Sequence, residues 1–531
     1  MTLDREFEIS VKGEVHLGTE LHLDDRPPEI RQRYRNSAAI NPPETPSATA
    51  GHGMLPGEIS EEHDWIYALE KTDKKVSIVD NGLKLQYALF GGPGSGKTNT
   101  LVYLLRQILR HETRHGPGGK DRPDHRFGGV ILDPKGDLAK IAPRVFAEVD
   151  REDDLIIINR DSLQAVGGVN LLHCGLSPTE IGKIMVLSAL SAGLGAREPY
   201  WFQQMSLTFG AILDLMQQLD DEPPTLARMI DLAVGTEIKG GQSVPKLEKI
   251  LKHAQANSNQ KTAQTAQDLL LRIDQLRSHS AGDPKNRATL EQFMRQAYDV
   301  FRESGNACYS AKTRPGATPI YDRIIDEGKF ILVSPGSDEL TLTRILPALV
   351  KLIVQRTVLS RESRFNSYEL MNDKRPVLFM ADEYHMIATQ LKDEPVGDAE
   401  YFSMARHFGG LCIVATQSIQ QLKSSGLGET WESVLAVLAA MISMKTIDKA
   451  TPEELQARAG TKSVLREVQN IGGGQGMNLS AARQRVDVPR LPKDAFALLT
   501  KGDAVLVGTT TGHEEPTQLK FVKVPYAWES I

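Results

Sequence analysis

The chain has 531 residues, 40 % hydrophobic and 24 % charged, a length that exceeds one compact core and a composition that fits a soluble, globular protein of two or three domains. Its net charge of −6 excludes a surface that attracts nucleic acid as a whole, so any such contact needs a local basic lining in a pore or groove. Three scattered cysteines (Cys174, Cys308, Cys412) argue against zinc or a disulfide framework. The longest apolar stretch, Val434 to Met444, is about half a membrane-spanning length.

The first residues, Met1 to Glu6, carry no apolar run and so no signal peptide. Residues 7–23 alternate apolar and polar, with Phe7, Ile9 and Val11 before Gly13 and Val15, Leu17, Leu21 and Leu23 after it, which predicts a β-hairpin-like segment over 1–24. Residues 25–83 open with Pro27, Pro28, Pro42, Pro43, Pro46 and Pro56 and predict an extended linker. From residue 84 short apolar runs alternate with amphipathic segments. The runs predict strands at Leu85–Phe90, Gly129–Leu132, Asp154–Ile158, Phe330–Val333, Val377–Ala381, Leu411–Ala415, Met441–Met444 and Ala504–Val507. This alternation predicts an α/β core with a mainly parallel sheet, in two parts, 84–174 and 321–531. Between them, over 175–320, apolar residues such as Ile181, Ile184, Met185, Phe202, Met205, Phe209 and Ile212 recur at helical spacing and predict an inserted all-helical domain.

Residues 91–98 read Gly91-Gly92-Pro93-Gly94-Ser95-Gly96-Lys97-Thr98, between a strand and an amphipathic helix over Thr98–Leu109. Glycines let the backbone curl its N–H groups around a phosphate, and the helix N-terminus adds partial positive charge. Gly91 to Asn99 therefore form a phosphate-binding loop (P-loop) for ATP, with Lys97 reaching the β- and γ-phosphates and the Thr98 hydroxyl on Mg²⁺. A chance glycine turn is the bland alternative, and the full match in context disfavours it. The apolar run Val377 to Ala381 ends in two acids. There, at the carboxyl end of a buried strand, Asp382 is placed to hold Mg²⁺ through water and Glu383 to activate the attacking water, rather than both being solvated acids.

Gln417, after the strand Leu411–Ala415, is placed to touch the γ-phosphate and the attacking water, or else only satisfies turn backbone. Arg406 is either a surface arginine or one supplied to a neighbouring subunit's γ-phosphate. Asp133, in Asp133-Pro134-Lys135-Gly136-Asp137, either sits beside the nucleotide or caps a strand-to-helix turn; spacing does not choose.

In this order, the P-loop, Asp133-Pro134-Lys135-Gly136-Asp137, a helical segment, Val377–Glu383 and Arg406-His407-Phe408-Gly409…Thr416-Gln417-Ser418 resemble the type IV coupling proteins. These are the TraD/TraG-type ATPases of conjugation and type IV secretion within the FtsK/HerA-like P-loop superfamily. Gly328–Ser334 and Val488–Asp494 fit too, and the likeness spans about 85–200 and 320–510. The resemblance implies a RecA-like core, ATP and Mg²⁺ as cofactors, and a homo-hexameric ring with ATP between subunits. It also implies that Arg406 acts in trans, that DNA threads the centre, and that the helical domain meets the substrate or its carrier, such as a relaxase. Relatives of this type begin with transmembrane helices, whereas this N-terminus reads as a polar hairpin and linker. The expectation is a chain without a span, cytoplasmic or peripheral at the inner membrane, that meets a membrane secretion complex. A nucleotide-gated adaptor recruiting protein cargo, or a cytosolic translocase of a mobile element or defence system, stands as the alternative.

Three further stretches read as bland. Residues 110–126 carry mixed charge with His111, His115 and His125 and predict a solvated loop. Lys246–Arg277 predicts an exposed helical face, and Gly472-Gly473-Gly474-Gln475-Gly476 a flexible loop and no second nucleotide site.

Overall fold

A computed structural model of the chain describes residues 14–24, 68–111, 126–193, 199–219, 223–234, 236–239, 242–280, 308–314, 316–335, 340–361, 375–391, 396–471, 479–510 and 517–527. The first run of the expected N-terminal hairpin, the proline-rich linker up to residue 67, most of the mixed-charge loop at 110–126 and the glycine-rich 472–476 lie outside these residues.

The strands are β1 (Glu14–Asp24), β2 (Ala68–Val79), β3 (Gln86–Phe90), β4 (Gly128–Leu132), β5 (Leu155–Ile158), β6 (Thr236–Lys239), β7 (Gln242–Pro245), β8 (Phe330–Val333), β9 (Val377–Ala381), β10 (Gly410–Thr416), β11 (Ala440–Met444), β12 (Thr461–Ile471), β13 (Leu479–Pro489), β14 (Asp503–Gly508) and β15 (Gln518–Lys523). Eleven of them form one sheet in the order β2-β1-β15-β14-β11-β3-β10-β9-β4-β8-β5. From β11 to β5 every neighbouring pair is parallel; from β11 outward through β14, β15, β1 and β2 every pair is antiparallel.

Every residue of β3, β4, β9, β10 and β11 is buried, because helices cover both faces of a parallel sheet. The main helices are α1 (Lys97–Arg110), α2 (Pro178–Ser191), α3 (Pro199–Leu219), α4 (Leu226–Val234), α5 (Lys246–Asn257), α6 (Gln260–Ser280), α7 (Leu340–Leu359), α8 (Asp398–Ala405) and α9 (Ala450–Ala459). Successive strand residues point to opposite faces, so Leu89 and Ile131 join Leu101 and Leu105 of α1 on one side. Phe90 and Val130 join Ile184 of α2, Phe209 of α3 and Leu349 of α7 on the other.

Every strand expected from an apolar run is present, with ends moved by at most one residue. At the N-terminus only the second run of the expected hairpin falls among the described residues. Residues 14–24 are a single strand whose partners are β2 and β15, and residues 68–83, assigned to the linker, are β2 and a short 3-10 turn. The helical segment also holds the small hairpin β6–β7, so it is not all-helical. A second separate hairpin, β12–β13, rests on α9. Among the described residues, no helix is long and apolar enough to cross a membrane.

A fully buried ion pair fixes the geometry behind β9. Lys351 of α7 donates to Asp398 Oδ2 at 2.7 Å, to the Ile387 carbonyl at 2.7 Å and to Thr389 Oγ1 at 2.5 Å. The Asp398 carboxylate also accepts from Tyr384 OH (2.6 Å), the Thr389 N–H (2.8 Å) and Gln355 Nε2 (2.8 Å). Neither charged side chain is exposed. Lys351→Met leaves Asp398 as an uncompensated buried charge, so it is expected to lose about 3–5 kcal/mol of stability. A urea titration checks this, and a midpoint equal to wild type would refute it.

Candidate nucleotide site

The site is built at the carboxyl edge of β3, β9 and β10, where open α/β sheets place their ligands. Between β3 and α1, residues 91–96 curl back on themselves: the Ser95 N–H donates to the Gly92 carbonyl at 3.2 Å, and Gly91 and Gly92 N–H groups donate to the Gln417 and Lys445 carbonyls. Gly96 enters the helix at φ 113°, a conformation that L side chains rarely adopt, and the helix begins with no side-chain cap. An uncapped N-terminus offers N–H groups and partial positive charge to an anion. A Cβ on Gly91 would lie 2.5 Å from Ser95 Oγ, and that buried hydroxyl has no partner within the protein. Pro93 and Gly94 form the exposed lip. A cradle of this shape fits a polyphosphate.

Lys97 Nζ lies inside the loop, 2.6 Å from the Gly91 carbonyl and 3.4 Å from that of Gly92. Burial lowers its pKa, and the carboxylates of Glu383 and Asp382 work against that. Thr98 Oγ1 donates to Asp382 Oδ2 at 3.2 Å. That hydroxyl–carboxylate pair is the arrangement expected around Mg²⁺, which takes few protein ligands and completes its shell with phosphate and water. Among the described residues no group of three His, Cys, Asp or Glu side chains could hold a metal on its own.

Asp382 and Glu383 are 4 % and 5 % exposed, so two adjacent carboxylates are buried together. Burial raises the pKa of Asp382, and the charge of Glu383 adds to that; bonds from the Glu383 N–H (2.8 Å) and Thr98 oppose it. Glu383 has φ 44°, left-handed for a non-glycine residue, and so holds a strained backbone at the end of β9. Burial would raise its pKa too, but an ion pair with Lys135 overrides this and holds it below the usual range, helped by His385 and Gln417. Gln417 Nε2 lies 3.3 Å from both Glu383 oxygens, and its Oε1 accepts from Gln421 at 3.0 Å. His385, whose pKa burial lowers, sits 3.4 Å from Glu383 Oε2 and 3.1 Å from Thr416 Oγ1.

The structure thus brings Lys97, Thr98, Asp382, Glu383 and Gln417 to one edge. It places the other candidates differently. Asp133 is fully buried and accepts from the Gly136 and Ala139 N–H groups at 3.0 and 2.8 Å, so it caps the turn after β4, its pKa raised by burial to about 6. Asn99 spends its side chain on Pro525 and Ala527. Arg406 is exposed at the end of α8, before β10 begins, whereas Gln417 follows β10; seven strand residues put about 20 Å between them. The sequence reading missed Lys135 and His385 as neighbours of Glu383. A cation in a tight turn at a strand's carboxyl end was the one signal that pointed to Lys135.

Two family profiles match the chain. The central domain of helicase HerA matches residues 68–306, and the type IV secretion-system coupling protein DNA-binding domain matches residues 320–488. No curated protein matches. Among solved structures, the unbound bacterial conjugative coupling protein TrwB (TrwBdeltaN70) superposes with a TM-score of 0.56 at 15 % identity, over 85 % of this chain and 87 % of that one. TrwB in complex with ADP and Mg²⁺ gives 0.53 at 15 %, over 84 % and 87 %. TrwB with a non-hydrolysable ATP analogue gives 0.53 at 13 %, over 84 % and 86 %.

If the loop is the nucleotide cradle, Lys97→Ala removes the one cation inside it. Its expected outcome is loss of ATP uptake in equilibrium binding, with the thermal unfolding midpoint held near wild type; undiminished binding would contradict the assignment. One segment of the chain thus resembles the central domain of helicase HerA and a second the DNA-binding domain of type IV secretion-system coupling proteins, on a fold similar to that of TrwB.

Proposed function

We propose that the chain is an ATP-hydrolysing motor that assembles as a homo-hexameric ring and couples DNA, or a DNA–relaxase complex, to a type IV secretion machine. The observation that carries the reading is Glu383, strained and ionised beside Asp382, on the edge that also presents Lys97. Similarity to TrwB complexes with nucleotide and Mg²⁺, and the match to a coupling-protein DNA-binding domain, support it. A cytoplasmic position, peripheral at the inner membrane where the secretion complex sits, belongs to the same proposal.

In this mechanism Gly91 to Asn99 hold the phosphates through backbone N–H groups, and Lys97 Nζ neutralises the β- and γ-oxygens. Thr98 Oγ1 and Asp382 would hold Mg²⁺, which would supply Lewis-acid stabilisation of the phosphate charge. Glu383 takes the proton of the water that attacks the γ-phosphorus in line, so an O–P bond forms as the β,γ-bridging P–O bond breaks. Lys135 keeps that carboxylate ionised and fixes its direction, at the cost of some basicity. Gln417, bonded to Glu383 and continuous with β10, reports the change to the elements behind it. Arg406 is too far from its own loop and acts on the neighbour's γ-phosphate.

Glu383→Gln keeps the shape and removes the base. It is expected to retain ATP while turnover falls by about 10²–10⁴-fold, and the wild-type rate is expected to rise several-fold when DNA is added. Steady-state phosphate release measures both. Wild-type turnover by the Glu383→Gln protein would sink the base assignment, and stimulation by a protein partner without any by DNA would favour an adaptor over a motor. For Arg406, Arg406→Ala subunits mixed with wild type at sub-stoichiometric ratio should depress ATPase more than dilution does. A strictly linear fall would remove the trans role.

A further inference from the structure

The acids occupy one flank of the phosphate loop, across β10 and β9, and the mechanism gives the opposite flank no task. That flank is closed by the two ends of the β14–β15 pair. The Gly502 N–H donates to the Ser95 carbonyl at 3.1 Å and the Val524 N–H to the Gly502 carbonyl at 2.8 Å. Asn99 Nδ2 donates to the Pro525 carbonyl at 2.8 Å, and the Ala527 N–H returns to Asn99 Oδ1 at 2.7 Å. These bonds stitch residues 502 and 524–527 to Ser95 and Asn99, the two sides of the loop. Asn99 is 6 % exposed, so its amide is committed to this segment.

Between the two residues that Asn99 holds stands Tyr526. It is 47 % exposed although its neighbour Ala527 is buried, and Lys501 Nζ lies 5.0 Å from its ring centroid. A nucleoside triphosphate is a linear ligand. With its γ-phosphate toward Glu383 and its inner phosphates in the loop, its sugar and base leave on the flank away from the acids, beside Asn99. An aromatic face held there by four backbone and amide bonds meets the base at small entropic cost, because the segment is ordered beforehand.

We propose that Tyr526, backed by Lys501, is the stacking platform for the nucleobase. This rests on the nucleotide reading above. Lys501 is placed to hold the ring by a cation–π contact on one side, or to meet the inner phosphates. Because every base has a π-face, the platform adds affinity without choosing strongly between bases.

The test compares ATP with inorganic tripolyphosphate, which has the phosphates and no base, by calorimetry on the full chain with Mg²⁺. Tyr526→Ala is expected to weaken ATP binding about tenfold and leave tripolyphosphate binding unchanged, and Tyr526→Trp is expected to restore ATP binding. Unchanged ATP affinity in Tyr526→Ala overturns the proposal. Equal losses for ATP and tripolyphosphate overturn it as well, since the residue then only supports the loop. If the wild-type chain binds neither compound, the nucleotide reading itself fails; if it binds both equally, only the base platform does.

Discussion

Two adjacent carboxylates buried at the end of β9 set the terms for everything around them. Like charges so close, taken out of water, favour protonation of one of them, and an acid that must accept a proton has to be ionised first. The fold answers with cations and donors on three sides. Lys97 and Thr98 come from the helix after β3, Lys135 from the turn after β4, and Gln417 from the turn after β10. The two acids come out differently: Asp382, against Thr98, is pushed up by burial, while Glu383, against Lys135, is held down. Two carboxylates with their pKa values driven apart suit the separate roles proposed for them, one toward the metal and one toward the water.

The strand order makes this convergence available. β3 lies between β10 and β11, and β9 lies one strand further, next to β4. The loops after β3, β4, β9 and β10 therefore open on one edge within a few strand spacings. The antiparallel extension serves the other flank, because β15 runs antiparallel to β14 and so ends on the P-loop edge. The N-terminal strand joins this flank as well. β1 pairs with β15, and its His16 exchanges backbone bonds of 2.8 and 2.9 Å with the amide of Gln107 on α1. Segments from both ends of the chain are thus fastened around the helix that bears the phosphate loop.

How much of this was legible follows from range. Central parallel strands are apolar on both faces, so Phe330–Val333 and Val377–Ala381 announced themselves from residues a few places apart. Glycine, lysine and threonine in the loop carry their chemistry in their spacing. The partner of β1 was not legible, since alternation says that a strand exists and not that it pairs with β2 about 50 residues later. The partners that β1 has among the described residues, β2 and β15, are both distant in sequence. The role of Asp133 was also undecidable, because its turn-capping bonds to Gly136 and Ala139 and a place near ligand are compatible with the same five letters.

The buried Lys351–Asp398 pair is hard to justify as a source of stability, since two charges removed from water recover through their attraction little more than they lose. What it does is positional. Tyr384, the residue after Glu383, donates to Asp398; Asp398 opens α8; and α8 ends at Arg406. Lys351 ties that chain to α7, which packs on the helical layer through α2. With Arg406 serving the neighbour's site, as proposed, one subunit's acid and the arginine it lends are the two ends of a single hydrogen-bonded block. A hydrophobic core of equal volume would hold these elements together but would let them slide. Directional bonds to one carboxylate fix their register, which the role proposed for Arg406 requires more than it requires the extra stability.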